Sequence, residues 1–105
     1  MKCLWEILVP TMFEDNKNPV RLRHHKKWDD YVRAISNGLT IMKPAKGQWI
    51  YNGDIYEDRV IPVRITCTEK QIIQIMKFTK KHYRQIDVMA YVVSEKVLFL
   101  SDKKK

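Results

Sequence analysis

Side chains able to do chemistry crowd into three places in this sequence of 105 residues. The densest runs from Gln48 to Arg59, where Trp49, Tyr51 and Tyr56 stand among Gln48, Asn52, Glu57 and Arg59. Such rings stack on a flat heterocycle, while neighbouring amide, carboxylate and guanidinium groups fix its polar edge. The same spacing suits a plainer role, Trp49 against Tyr56 as a cross-strand pair that stabilises a hairpin. The second place is the pair Glu6 and Arg64, each set inside a strand-like apolar run. Opposite charges so placed either neutralise one another or line a ligand cavity. The third comprises His24-His25 and His82, with the thiols of Cys3 and Cys67. Adjacent histidines do not share a helix face, and no cysteine or carboxylate stands at ligand spacing, so no metal site is expected. Neither thiol has a general base near it in sequence, and both read as small buried hydrophobes. Gly38, Gly47 and Gly53 lie too far apart for a phosphate loop, and no cofactor is expected.

The elements that must position these groups follow from periodicity. Residues 3–9 alternate, with Cys3, Trp5, Ile7 and Val9 on one side and Leu4, Glu6 and Leu8 on the other. Pro10 limits that strand, and 11–20 is a polar loop. A helix is expected over 22–36 from the stripe His24, Trp28, Tyr31, Val32 and Ile35, stopped at Asn37-Gly38. Extended structure over 39–43 is interrupted at Pro44 to Gly47 and resumes over 48–51. Asn52-Gly53 then predicts a tight hairpin turn.

The returning strand is expected to break near Glu57-Asp58, then to run with Ile61, Val63, Ile65 and Cys67 on one face. Pro62 has no N–H, so its position should be unpaired or bulged. Thr68 with Gln71 predicts a capping box and a second helix, buried along Ile72, Ile75, Met76, Thr79 and Tyr83. Strands over 87–93 and 96–100 complete the chain.

This order, β-α-β-β-α-β plus a short C-terminal strand, specifies an α+β, ferredoxin-like antiparallel sheet with both helices on one face. One domain is expected over 1–101, with a basic tail at 102–105. The other sheet face would expose Leu4, Leu8, Val60 and Val88 or Met89, around Glu6 and Arg64. That surface calls for a partner, and another copy of the chain is the simplest one, as a trimer by preference or a dimer.

Composition narrows the function classes. Hydrophobic residues are 45% and charged residues 30%, a balance that excludes a disordered or low-complexity chain. No apolar run reaches the roughly 20 residues of a membrane span, and residues 3–9 lack the features of a signal peptide. With two cysteines and no disulfide framework, a reduced cytoplasmic protein is expected. Lys plus Arg outnumber Asp plus Glu by 20 to 12, concentrated at 21–33 and 77–84. Such stretches attract phosphate groups, but they also serve as solvated helix faces, and no zinc-finger, RNP or KH signature accompanies them. A nucleic-acid binder would lose affinity steeply with salt, and that reading is disfavoured.

The element order, with its long second hairpin, resembles the PII and CutA-like branch of ferredoxin-like proteins. The resemblance implies trimers with ligand sites in clefts between subunits. Within the branch, Val63-Arg64-Ile65-Thr66-Cys67 and Tyr83-Arg84-Gln85-Ile86-Asp87-Val88-Met89-Ala90-Tyr91 look like two patches of the phage S-adenosylmethionine lyases. Those enzymes split S-adenosylmethionine into methylthioadenosine and homoserine lactone. The likeness runs from about Tyr51 to Tyr91 and implies a ligand-facing Gln85 and an acid, Glu57, near the substrate. The family's Gly-x-Tyr-x-Glu segment corresponds to Gly53-Asp54-Ile55-Tyr56-Glu57, with the tyrosine one position later, which on a strand is the opposite face. The expected ligand set is therefore Glu6, Trp49, Tyr51, Tyr56, Arg64 and Gln85, with Glu57 catalytic if the chain is a lyase. The ligand expected is small and either anionic or adenosyl-like.

Overall fold

Two central strands carry the architecture. In the computed structural model, which describes residues 1–13 and 17–101, β1 (Lys2–Pro10) pairs antiparallel with the end of β4 (Asp54–Thr68). Part of the expected 11–20 loop and the whole basic tail lie outside the described residues. β2 (Thr40–Ile41) and β3 (Ala45–Tyr51) line the outer side of β4, and β5 (Ala90–Ser94) lines the outer side of β1. Helices α1 (Leu22–Ser36) and α2 (Glu69–His82) cover one face. This is the ferredoxin-like α+β sheet that the periodicity specifies.

Alternation decides which side chains meet the helices. Ile7, Val9, Val63, Ile65 and Cys67 turn inward and are buried with Trp28 and Val32 of α1, Ile72 and Ile75 of α2, and Tyr83. The Trp28 indole N–H donates to Thr79 Oγ1 at 2.8 Å, and that hydroxyl donates to the Ile75 carbonyl at 2.6 Å. This buried polar pair is thus satisfied.

Local signals end the elements as their chemistry requires. Asn37, rather than Gly38, takes the left-handed stop of α1 at φ 71°, and its N–H bonds Arg33 O. The capping box of α2 is complete, Gln71 N–H to Thr68 Oγ1 at 3.1 Å and Thr68 N–H to Gln71 Oε1 at 2.9 Å. The turn at Asn52-Gly53 has both residues at positive φ.

Several strand expectations change. β4 runs unbroken through Glu57-Asp58, because β3 pairs with it residue by residue from Tyr51↔Asp54 to Ala45↔Val60. β2 keeps only two residues, and β3 begins at Ala45. Between them Ile41 faces Val63 and Ala45 faces Val60, so the β2–β3 side holds one residue more. The irregularity falls opposite Pro62, as its missing N–H demands. β5 starts three residues later than expected, and Lys96–Leu100 forms no strand. Ser94 already faces Leu4, so β1 has almost no length left to pair with a further strand.

The hairpin of β3 with the start of β4 leaves the body of the protein. The molecule measures 54 × 29 × 24 Å with a radius of gyration of 15.1 Å, against about 13 Å for a compact domain of this size. The second sheet face is bare of helices and carries Leu4, Leu8 and Val60 beside the exposed Met89 and Tyr91.

A candidate ligand cleft at the hairpin base

The pairing of β1 with β4 ends at Pro10↔Val60, and Thr11 Oγ1 donates to Arg59 O at 2.8 Å just beyond it. From there toward the turn, no described strand pairs with the edge of β4 away from β3, and the chain after β1 passes alongside. Met12 and Phe13 on one side, Trp49, Tyr56, Glu57 and Asp58 of the hairpin, and Gln85 after α2 enclose a cleft of about 290 Å³. A smaller hollow of about 190 Å³ shares Asp58 and Gln85 and adds Asp87 and Met89.

Each wall is held. Gln85 Nε2 donates to the carbonyls of Met12 at 3.2 Å and Tyr83 at 3.0 Å, fastening the end of α2 to the segment after β1. Gln48 Nε2 donates to Glu57 Oε2 at 2.8 Å across the hairpin. Trp49 and Tyr56 face one another across it with ring centres 6.2 Å apart, so the cross-strand pair does form. Half of Trp49 nevertheless stays exposed and available to a ligand. Burial pushes the Asp58 carboxyl up, partly countered by the Arg59 N–H that its Oδ1 accepts at 3.0 Å. Among the described residues no cationic side chain lines this cleft. Arg84 stands at its margin with the guanidinium 4.3 Å from the centre of the Phe13 ring.

Four of the seven residues singled out by sequence, Trp49, Tyr56, Glu57 and Gln85, therefore meet here. Tyr51 does not line the cleft and touches Tyr56 edge-on nearer the turn. Asp58, Met12 and Phe13 escaped the sequence reading. Period-2 alternation would have placed Asp58 beside Tyr56 and Val60, but nothing local tells where the polar loop of Met12 and Phe13 returns.

Glu6 and Arg64 belong to a separate group on the bare sheet face. Arg64 Nε donates to Glu6 Oε1 at 2.9 Å, and the Tyr91 hydroxyl donates to Glu6 Oε2. The Tyr91 hydroxyl, and after burial's opposing effect the Arg64 guanidinium, hold the Glu6 carboxyl below the usual carboxylate range. The same bond pushes the Tyr91 phenol up. Glu57 and Arg64 stand seven positions apart on one regular strand. That odd spacing puts them on opposite faces, and roughly 23 Å apart along β4 at ~3.3 Å per residue. Within one protomer they do not share a site.

The other nominated groups are structural. His24 and His82 stack with ring centres 3.6 Å apart, and the Nε2–H of each donates to the other's carbonyl at 2.7 and 2.8 Å. Cys67 is fully buried, and burial pushes its thiol up to about 11, which disfavours a thiolate.

No family model matches the chain, and no curated protein does. Solved structures do match. Against the divalent cation tolerance protein CutA1 of Thermus thermophilus the TM-score is 0.65, with 10% identity over 99% of this chain and 88% of that one. Against CutA1 from Oryza sativa it is 0.69, with 10% identity over 93% of this chain and 83% of that one. The periplasmic divalent cation tolerance protein CutA from Archaeoglobus fulgidus gives 0.66, with 12% identity over 93% and 88%. The fold is the CutA fold. It is a ferredoxin-like sheet, and at these identities the likeness is one of fold alone. Among the described residues no group of three or more His, Cys, Asp or Glu is placed to hold a metal ion. No described helix is long and apolar enough to cross a membrane.

Proposed function

We propose that this chain is a homo-oligomeric, PII-like protein that binds a small adenosyl-type ligand in the cleft at the hairpin base. The observation that carries this reading is the convergence of Trp49, Tyr56, Glu57 and Gln85, from segments distant in sequence, on one cleft of about 290 Å³. Two ring faces suit a flat heterocycle, and Gln85, whose Nε2 is engaged by the Met12 and Tyr83 carbonyls, would offer its Oε1 to the polar edge of such a ring. Glu57 and Asp58, with no cation among the lining residues, favour a ligand carrying positive charge over an anionic one. An adenosyl sulfonium has both features. Lyase chemistry would call in addition for Arg64 near Glu57, which one protomer does not provide, so binding is the preferred reading.

Thermal shift with S-adenosylmethionine and S-adenosylhomocysteine tests it, because the two differ in the sulfonium charge. At a hundred times its dissociation constant a ligand adds about 2.7 kcal/mol. For a domain of this size that raises the melting temperature by more than about 10 °C. The sulfonium compound should give the larger shift, and Trp49→Ala should remove it. Equal small shifts with both compounds, unaffected by Trp49→Ala, would reject the ligand reading.

Self-association follows from the bare sheet face. Leu4, Leu8, Val60, Met89 and Tyr91 form an apolar surface with the compensated pair Glu6–Arg64 at its middle, the pattern of an interface between copies. Light scattering should report a trimer, or else a dimer, at micromolar concentration. A monomer would sink the assembly and leave the ligand cleft to be judged by itself.

A further inference from the structure

A second cavity, of about 380 Å³, lies on the bare sheet face, away from the hairpin. Lys2 and Leu4 of β1, Arg64 and Thr66 of β4, Leu39 after α1 and Phe99 near the chain end line it. Lys2, Leu4, Arg64 and Thr66 point the same way because Leu4 faces Thr66 and Glu6 faces Arg64 in the β1–β4 register.

Its electrostatics are the reverse of the hairpin cleft. Among the described residues no carboxylate lines it. Glu6 engages Arg64 through Nε, with its other oxygen bonded by Tyr91. The guanidinium plane is thereby held, while its two Nη groups have no hydrogen-bond partner among the described residues. An oriented Nη fork matches the two oxygens of a carboxylate or a phosphate. Glu6 neutralises one positive charge, and Lys2 leaves the group with one in excess. Thr66, two residues on along the same strand face, lines the same cavity. The remaining walls are apolar, and the Phe99 ring is 79% exposed. A cavity of this volume falls within the range that holds small organic ligands.

We propose that this cavity binds a small amphipathic anion, a carboxylate or phosphate monoester bearing a ring or short alkyl group, with the anion on Arg64 and Lys2 and the apolar part against Leu4, Leu39 and Phe99. The inference does not depend on the hairpin cleft. Leu4 and Arg64 also border the surface proposed to meet another copy, so light scattering accompanies the titrations below, and saturable binding with the oligomer unchanged is expected if the cavity stays open in the assembly.

Calorimetric titration of the full chain with phenyl phosphate, benzoate and inorganic phosphate tests it. At least one aryl anion should bind saturably and about tenfold or more tighter than inorganic phosphate, since burying a ring contributes over 1.4 kcal/mol. Whichever aryl anion binds tighter identifies the preferred head group. Arg64→Lys keeps a charge beside Glu6 but loses the fork, and should weaken binding about tenfold. Because Arg64 also supports Glu6, two variants remote from the core accompany it. Lys2→Gln should weaken every anion, whereas Phe99→Ala should weaken the aryl anions and leave inorganic phosphate unchanged. Trp49→Ala should remove the adenosyl-ligand shift yet leave the aryl-anion titrations as in wild type, which separates this site from the hairpin cleft. No saturable binding, or aryl anions no tighter than inorganic phosphate, would overturn the proposal, as would full affinity in both Lys2→Gln and Phe99→Ala.

Discussion

Trp28→Ala is expected to remove about 3–5 kcal/mol of stability, a large part of the roughly 5–15 kcal/mol a domain of this size possesses. Trp28 is 1% exposed at the centre of the helix–sheet layer, among Val32, Ile75 and Tyr83. Its removal leaves a cavity that strand and helix backbones cannot close, because β1 and β4 are fixed in register over nine residue pairs. The substitution also strips Thr79 Oγ1 of the indole N–H it accepts. Trp28→Phe keeps most of the volume and loses that bond, so a smaller loss is expected, made up of about 1 kcal/mol for the hydrogen bond and a cost for the volume Phe leaves empty. Urea denaturation with the slope unchanged from wild type measures both. A loss below about 1 kcal/mol for the alanine variant would mean that the core is not centred on this residue.

Acid is expected to loosen the junction between the start of α1 and the end of α2. His24 stacks on His82, Phe78 stacks on the other side of His82, and Phe13 and Tyr83 meet His24 edge-on. His25 Nδ1 shares a hydrogen bond with the buried Tyr83 hydroxyl at 2.7 Å. Burial, and then the neighbouring imidazoles, depress His25, and burial is also the main cause depressing His82. Lys27 adds to the effect on His82. The unfolded chain thus takes up protons that the folded one refuses. Stability is fully present above about pH 6.5 and falls as pH drops below it, by at most about 1.4 kcal/mol per pH unit for each group. Solvent screening lowers that ceiling, since both rings are only partly buried. Glu6, whose carboxyl is depressed, contributes stability that is lost only at lower pH, below its ordinary value of 4.5. Asp29 and Asp58 are raised and act in the opposite sense, in the range just above 3.8. Melting temperatures between pH 8 and 5 should therefore decline mainly below 6.5, and His82→Gln should flatten the decline. A profile level to pH 5 would contradict this account.

Where free energy is local, the residues alone were sufficient. The 3.6-residue stripe through Trp28 and Val32 with a left-handed stop at Asn37 determined α1 to its last residue. The Thr68–Gln71 box opened α2, Asn52-Gly53 turned the hairpin, and alternation in β1 and β4 chose the buried face. From these the order of elements and the ferredoxin-like sheet follow. Aromatic content also singled out Trp49 and Tyr56, which do pair across the hairpin.

Tertiary structure decided whatever depends on a partner strand or a returning chain. β4 runs through Glu57-Asp58 because β3 satisfies its backbone there, an effect outside any local preference. Lys96–Leu100 carries a strand-like pattern but has no strand to pair with among the described residues, since β5 already occupies β1 as far as Leu4. Tyr91 reaches Glu6 only because β5 lies beside β1. Met12 and Phe13 join Trp49, Glu57 and Asp58 only because β1 leaves β4 at Pro10 and the chain passes the free edge. The hairpin cleft and the cavity of the bare sheet face arise from such non-local meetings. Sequence spacing along one chain does not encode them, because residues 73 positions apart, as Met12 and Gln85 are, become neighbours only when the sheet closes.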